Sequence, residues 1–328
     1  GCAPVQDPAH PDECPDINYH ATILKDAQHV GSIPAIDNAV LAGMAGRFPG
    51  CAIGIVADGE VKYLKAYGLA DTNPAAPQPF TTSTVAGVGS VSKTMTAIAI
   101  MRLVELGKIA LDVPVTNYFP HAVPVGWPAM TVRQLLCHQS GLERDPNPAL
   151  PGTLTPAQID ASFGIAKASQ HPRYGIFEFL YTDYAKPVAG KIGKYNYSNI
   201  GYTVLGAIID HVTQGPAFAN DERGYERYVW SLLTQAHGGF NADAALTACI
   251  DHPWRAGDIL LQAKEYNSLW NPTNPNYSGW QGPSGGWCLT IGDFARVLVA
   301  LHTNQILTEE SRDAMRHNES SMTEKAYG

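Results

Sequence analysis

Ser90 and Lys93 stand three residues apart in Gly89-Ser90-Val91-Ser92-Lys93-Thr94, where a stretch with helical apolar spacing begins. On a helix, residues i and i+3 share a face, so this hydroxyl and this ammonium can share one hydrogen bond. The free N–H groups and the dipole at a helix start favour negative charge and push a lysine there toward neutrality. A neutral Lys93 takes the Ser90 proton and turns a weak alcohol into a nucleophile. Such a spacing also arises by chance in a long chain, where it means an N-terminal serine and a solvated lysine. Here it occurs once, and Tyr197-Ser198-Asn199, further along, is the one Tyr-x-Asn.

A rival nucleophile lies in Gly282-Pro283-Ser284-Gly285-Gly286, which matches the G-x-S-x-G elbow. That elbow needs a buried strand before it and a helix after it. Residues 271–276 carry Pro272 and Pro275, and proline removes the donors that a central strand needs. The glycines are better read as allowing close packing before a helix at Ile291. His138, His211 and His252 are scattered and read as surface or satisfied core residues. Trp280 and Trp287 flank the glycine stretch and read as packing residues beside a cleft.

The elements that must position these groups follow from periodicity. Residues 1–30 are acidic and Pro-rich, with no apolar period, and read as an irregular arm. Ile36, Val40, Leu41 and Met44 predict a helix over 33–45. Residues 51–57 and 61–69 are β-rich runs joined by Asp58-Gly59, the strongest short-range signal for a hairpin. Met95, Ile98, Met101, Leu103 and Val104 predict a helix over 92–107 with Gly107 as its cap. Further helices are expected over 132–136, 202–212, 225–234, 291–301 and 309–316, with 145–194 irregular. The strands amount to a two-stranded sheet, marginal by itself.

Composition bounds the function. In 328 residues, 45% are apolar and 16% charged, as in a chain that buries a sizeable core. A net charge of -8 without basic runs gives no footprint for nucleic acid. The longest apolar runs, such as residues 97–101 and 297–301, are too short to span a bilayer. Without CxxC or HExxH, zinc ligation has no support. Six cysteines, with Cys2 and Cys14 in the N-terminal arm, point to a Cys2–Cys14 bridge in an exported protein, secreted or periplasmic. No signal segment precedes Gly1, so an exported protein would stand here in mature form. The alternative is a cytosolic chain with reduced thiols.

Several stretches together resemble the serine β-lactamase family of the class C type, with its D,D-carboxypeptidase, D-amino-acid peptidase, amidase and esterase relatives. They are Phe48-Pro49-Gly50, the Ser90–Lys93 motif, Leu103-Val104-Glu105-Leu106-Gly107 with Leu111-Asp112, and residues 135–142 (LLCHQSGL). Tyr197-Ser198-Asn199-Ile200-Gly201-Tyr202 with Leu205-Gly206, and Gly285-Gly286 with Asp293-Phe294-Ala295-Arg296, continue the family's order. The resemblance covers residues 33–328. It implies an α/β plus all-α, β-lactamase-like fold, an antiparallel sheet with a large helical domain. On that reading residues 1–30 are the arm, 31–86 the helix and hairpin of the sheet domain, and 87–328 a mainly helical domain carrying the motifs. It implies Ser90 as nucleophile, Lys93 as its activating partner, Tyr197 as base or proton relay, and Asn199 as an amide orienting substrate and Lys93. Lysine and tyrosine both ordinarily titrate near pH 10, so which one takes the first proton stays open.

The resemblance also breaks. The family's third motif, a Lys- or His-x-Gly on a late strand that supplies half the oxyanion hole, has no acceptable match. Lys191-Ile192-Gly193 falls before the tyrosine motif, and the chain stops at Tyr327-Gly328, where the family's last strands would begin. A second polypeptide, cut from the same precursor near Gly328, is therefore expected to complete sheet and site. The alternatives are a truncated chain or an inactive binding relative. The expected substrate is a small molecule or short peptide: peptide or amide first, ester next, β-lactam third. No metal or organic cofactor is required.

Overall fold

A computed structural model describes residues 32–45, 47–118, 130–144, 187–188, 190–214, 224–235, 247–248, 265–266, 272–273 and 282–316. Helix α1 (Pro34–Met44) starts on a proline, whose missing N–H costs nothing in a first turn. Strands β1 (Gly50–Ala57) and β2 (Glu60–Asp71) pair antiparallel, with Ala57 opposite Glu60. Asp58 and Gly59 between them have φ of 55° and 74°, the two positive angles that a two-residue hairpin of matching twist needs. Two short strands follow, β3 (Gln78–Pro79) and β4 (Ala86–Gly87).

A 3-10 turn (Gly89–Val91) leads into α2 (Ser92–Glu105). It ends with Gly107 at φ 66°, the Gly107 N–H bonded to the Val104 carbonyl and the Lys108 N–H to that of Leu103. This is the paired closure that an αL glycine permits. Then come α3 (Val132–Leu136), α4 (Asn199–Gln214) and α5 (Gly224–Gln235). The two-residue strands β5 (Thr247–Ala248), β6 (Glu265–Tyr266) and β7 (Pro272–Thr273) precede the single turn α6 (Gly282–Gly285). Strand β8 (Trp287–Leu289), α7 (Ile291–His302) and α8 (Glu309–Arg316) complete the described order. Thr131 and Thr290 open α3 and α7 with reciprocal capping boxes to Gln134 and Asp293.

The expected two-stranded sheet is corrected in two ways. Strand β3 joins the hairpin in the order β1-β2-β3, and β8 pairs with β4 and β5 in a second sheet. Strands of two or three residues are too short to show an alternation. The prolines of 271–276 likewise did not exclude pairing, since Pro272 and Thr273 form β7 at the edge of a two-stranded ladder.

The described chain forms two compact units. One takes the described parts of Gly1–Val88, Leu233–Asn276 and Cys288–Ile306. In it α7 lies across β1 and β2, with Ile291, Ala295 and Val299, one turn apart on one face, meeting Val56, Val61 and Leu64. Full burial of each such aliphatic chain stabilises by about 1.5–3 kcal/mol. Helix α1 is tied to β2 through Asp37, which accepts from Tyr67 Oη (2.7 Å), Lys65 Nζ (2.8 Å), Tyr63 Oη (3.1 Å) and Ser32.

The other unit takes the described parts of Gly89–Leu232, Tyr277–Trp287 and Leu307–Gly328. Helix α2 runs through its core, with Met95 and every residue from Ala97 to Ile100 out of solvent. Helices α4, α6 and α8 pack on it. A helix apolar nearly all round is the signature of a central element. It fixes its own first turn in place.

Candidate active site

That first turn is clamped by polar contacts as well as by packing. Ser92 is fully buried, and its Oγ accepts the Trp287 backbone N–H at 3.0 Å. One turn on, Thr96 Oγ1 donates to the Pro283 carbonyl and meets Tyr225 Oη, each at 2.7 Å. Tyr225 Oη also accepts the Trp287 indole N–H at 2.9 Å. Trp287 is 1% exposed, a packing residue, and Trp280 lies outside the described residues. Ser90 and Lys93 are thus issued from a rigid helix start.

Tyr197 and Asn199 are fixed by the turn at 138–144, which runs beside the entry to α4. His138 has φ 56°; its carbonyl accepts Asn196 N–H at 2.7 Å and its Nδ1 accepts Ser198 N–H at 3.0 Å. Ser198 Oγ donates to the Glu143 carbonyl at 2.6 Å and accepts Gly201 N–H at 3.0 Å. The Arg144 carbonyl accepts Asn199 N–H at 2.8 Å. The His138 ring stacks on Tyr197, centroids 4.4 Å apart and planes 28° from parallel. His138 is a satisfied, buried histidine, as read from the sequence, and it also backs the tyrosine.

These elements bring all four predicted residues together. Tyr197 Oη lies 2.6 Å from Ser90 Oγ, and Lys93 Nζ lies 3.2 Å from the same oxygen. Lys93 Nζ also donates to Asn199 Oδ1 at 2.7 Å and to the Ser284 carbonyl at 2.5 Å. Lys93 is 5% exposed, with its Nζ 4.8 Å from the Tyr197 ring centroid. Three acceptors match the three N–H donors of an ammonium, which has no lone pair left to take a proton. The arrangement can therefore hold Ser90 Oγ between a cationic donor and a phenolic oxygen, ready to surrender its proton to the latter.

Ser284 is the residue that the sequence reading missed. It is 4% exposed, so it does not present its hydroxyl as a nucleophile, and its contribution is a backbone carbonyl. A carbonyl is common to every residue type, so only the glycine-flanked turn hinted at it.

Lys191-Ile192-Gly193 lies in a turn, with Gly193 at φ 74° and Lys191 Nζ 3.3 Å from Glu143. It is no active-site strand. A further tripeptide of the same pattern, His237-Gly238-Gly239, falls outside the described residues, as do His252 and the Cys2–Cys14 bridge. Cys288 is disulfide-bonded, whereas Cys51 and Cys137 are free thiols. Among the described residues no cluster of His, Cys, Asp or Glu could hold a metal, and no helix is long and apolar enough to cross a membrane.

Comparison with known proteins agrees with this geometry. The sequence model of the Beta-lactamase family matches residues 36–326. Esterase EstB of Burkholderia gladioli is 32% identical over 173 residues, 51% of this chain and 42% of that esterase. The putative penicillin-binding protein PbpX of Bacillus subtilis is 28% identical over 193 residues, 59% of this chain and 41% of PbpX. The chain thus spans less than half the length of these two relatives. Among solved structures, the octameric penicillin-binding protein homologue from Pyrococcus abyssi superposes with a TM-score of 0.66 at 26% identity. That match covers 91% of this chain and 64% of the homologue. A class C beta-lactamase shares the fold, with a TM-score of 0.62 at 22% identity over 92% of this chain and 70% of the other.

Proposed function

The chain belongs to the Beta-lactamase family, and on that footing we propose that it is a serine hydrolase whose acyl-enzyme forms on Ser90. The observation that carries this reading is the position of Ser90 Oγ, 2.6 Å from Tyr197 Oη and 3.2 Å from a lysine held by two further acceptors. Tyr197, as phenolate beside the Lys93 ammonium, takes the Ser90 proton as Oγ bonds to the substrate carbonyl carbon. It then passes that proton to the departing nitrogen or oxygen, and the bond to the leaving group breaks. Water next attacks the ester on Ser90, loses a proton to the same pair, and releases the acid. Asn199 keeps the Lys93 ammonium aimed at Ser90 throughout.

Within acyl transfer, the reading we favour is a peptidase or amidase of the D,D-carboxypeptidase or D-amino-acid peptidase type, acting on a short peptide or small amide. The likeness to PbpX and to the Pyrococcus homologue supports it. The likeness to an esterase supports ester hydrolysis as second reading. We also propose export, supported by the Cys288 disulfide, because such bonds persist in oxidising compartments. A companion segment supplying the second oxyanion donor, whether joined to this chain or separate, belongs to the same proposal.

Intact mass measurement after a fluorophosphonate probe tests the reading. One adduct on this chain, absent from Ser90→Ala, is expected, with a smaller co-purifying species if the companion is a separate polypeptide. An adduct retained in Ser90→Ala would overturn the assignment of the nucleophile, and no adduct on either protein would overturn the hydrolase reading.

A further inference from the structure

Two cations lie within cation–π distance of the Tyr197 ring, and they differ in what they can do. Lys93 is buried and has three acceptors. Arg144 is exposed, with its guanidinium carbon 5.6 Å from the ring centroid. Its backbone is pinned, since its carbonyl accepts the N–H groups of Asn199 (2.8 Å) and Ile200 (3.4 Å) at the start of α4. A long cationic side chain therefore leaves the backbone at a fixed point, next to the residue that holds Lys93. The neighbouring acid, Glu143, is paired with Lys191 at 3.3 Å.

The side of the site that Arg144 occupies follows from the proton path. Whatever takes the Ser90 proton must return it to the departing atom, so Tyr197 Oη faces the leaving group. A guanidinium against the Tyr197 ring then lies on the leaving-group side of the scissile bond. Its planar fork suits the two oxygens of a carboxylate, and a bond of that kind is stronger than a neutral one.

Resting on the reading of Ser90 as nucleophile, we infer that Arg144 recognises a carboxylate carried by the leaving group. The preferred substrates are then acyl compounds whose departing amine or alcohol bears an anion a few bonds from the scissile bond. A peptide releasing its C-terminal amino acid has that form.

The test is a matched pair of esters with one acyl group, phenylacetate, on 3-hydroxybenzoate and on 3-hydroxybenzamide. The full chain is expected to favour the anionic leaving group on the order of tenfold in kcat/KM after correction for intrinsic reactivity, an advantage that salt erodes. In Arg144→Ala the ratio is expected to approach one, and Arg144→Lys is expected to restore part of it. Replacing this side chain leaves the backbone bonds to α4 in place, so the ratio reads recognition and not folding. Ser90-dependent hydrolysis with the same ratio in wild type and Arg144→Ala would overturn the role of Arg144 and spare the hydrolase reading. Hydrolysis of neither ester, or hydrolysis that survives Ser90→Ala, would overturn both.

Discussion

Ser90 Oγ has two neighbours of different kinds, and substitution can separate them. Tyr197→Phe keeps a ring on His138 and removes only Oη, 2.6 Å from the nucleophile. Losing a positioned proton acceptor is expected to lower kcat by about 10²–10⁴ with KM little changed. A kcat within a few-fold of wild type would return the role of base to Lys93. Asn199→Leu removes one of the three Lys93 acceptors and leaves a buried N–H without its partner, at a cost of about 1–3 kcal/mol. Denaturant midpoint and activity are expected to fall together. An unchanged midpoint would mean that Lys93 does not depend on Asn199 for its charge.

At the scale of elements, the sequence exposes whatever repeats or caps. Helices α2, α3, α7 and α8 were readable from apolar spacing and cap residues, and the hairpin from Asp58-Gly59. Strands β3 to β8 were not, because two or three residues carry no period, and their pairing is decided by distant partners. At the site, Ser90 and Lys93 were legible as a spacing on a helix, whereas Tyr197 and Asn199 needed the family resemblance. The Ser284 carbonyl was invisible to either. The hairpin turn offers a quantitative check. Gly107 at φ 66° has open space where a Cβ would go, so Gly107→Ala meets only the left-handed backbone penalty, about 1–2 kcal/mol. At Gly59, φ 74°, a Cβ would also lie 2.9 Å from Thr303 Cγ2. Thr303 cannot turn freely, since its Oγ1 donates to the Val299 carbonyl at 2.8 Å. Gly59→Ala is therefore expected to cost more than Gly107→Ala in chemical denaturation. Adding Thr303→Ser, which keeps Oγ1 and removes the methyl, is expected to recover the excess. Failure of the double variant to recover it would place the cost in the backbone alone.

For the whole molecule, the groups that fold into unusual surroundings dictate a one-sided response to pH. His211 is held below its ordinary 6.5 by burial, so the folded chain binds its proton less readily than the unfolded one. Stability from that site is complete above pH 6.5 and declines as pH falls through and below it. Asp37 is held far below its ordinary 3.8, chiefly by Lys65, with Ser32, Tyr67 and Tyr63 adding hydrogen bonds against the upward pull of burial. Asp112 is lowered by Arg133, and Glu105, despite burial, by hydrogen bonds from Ser311, Thr308 and Arg102. Carboxylates depressed in this way stabilise above their unfolded values and cease to as acid protonates them. The net charge of -8 acts in the other direction at first, since mild acid relieves self-repulsion. Spread over 328 residues it is small, so the specific sites are expected to win. Thermal midpoints should hold steady above about pH 7, begin to fall below 6.5, and fall more steeply below about 4. His211→Gln is expected to remove the first decline. Asp37→Asn is expected to lower the midpoint at neutral pH, because the neutral amide no longer pairs with Lys65, and to flatten the second decline. A midpoint that stays constant from neutral pH down to about 4 would show that the buried His211 remains neutral at no cost to folding.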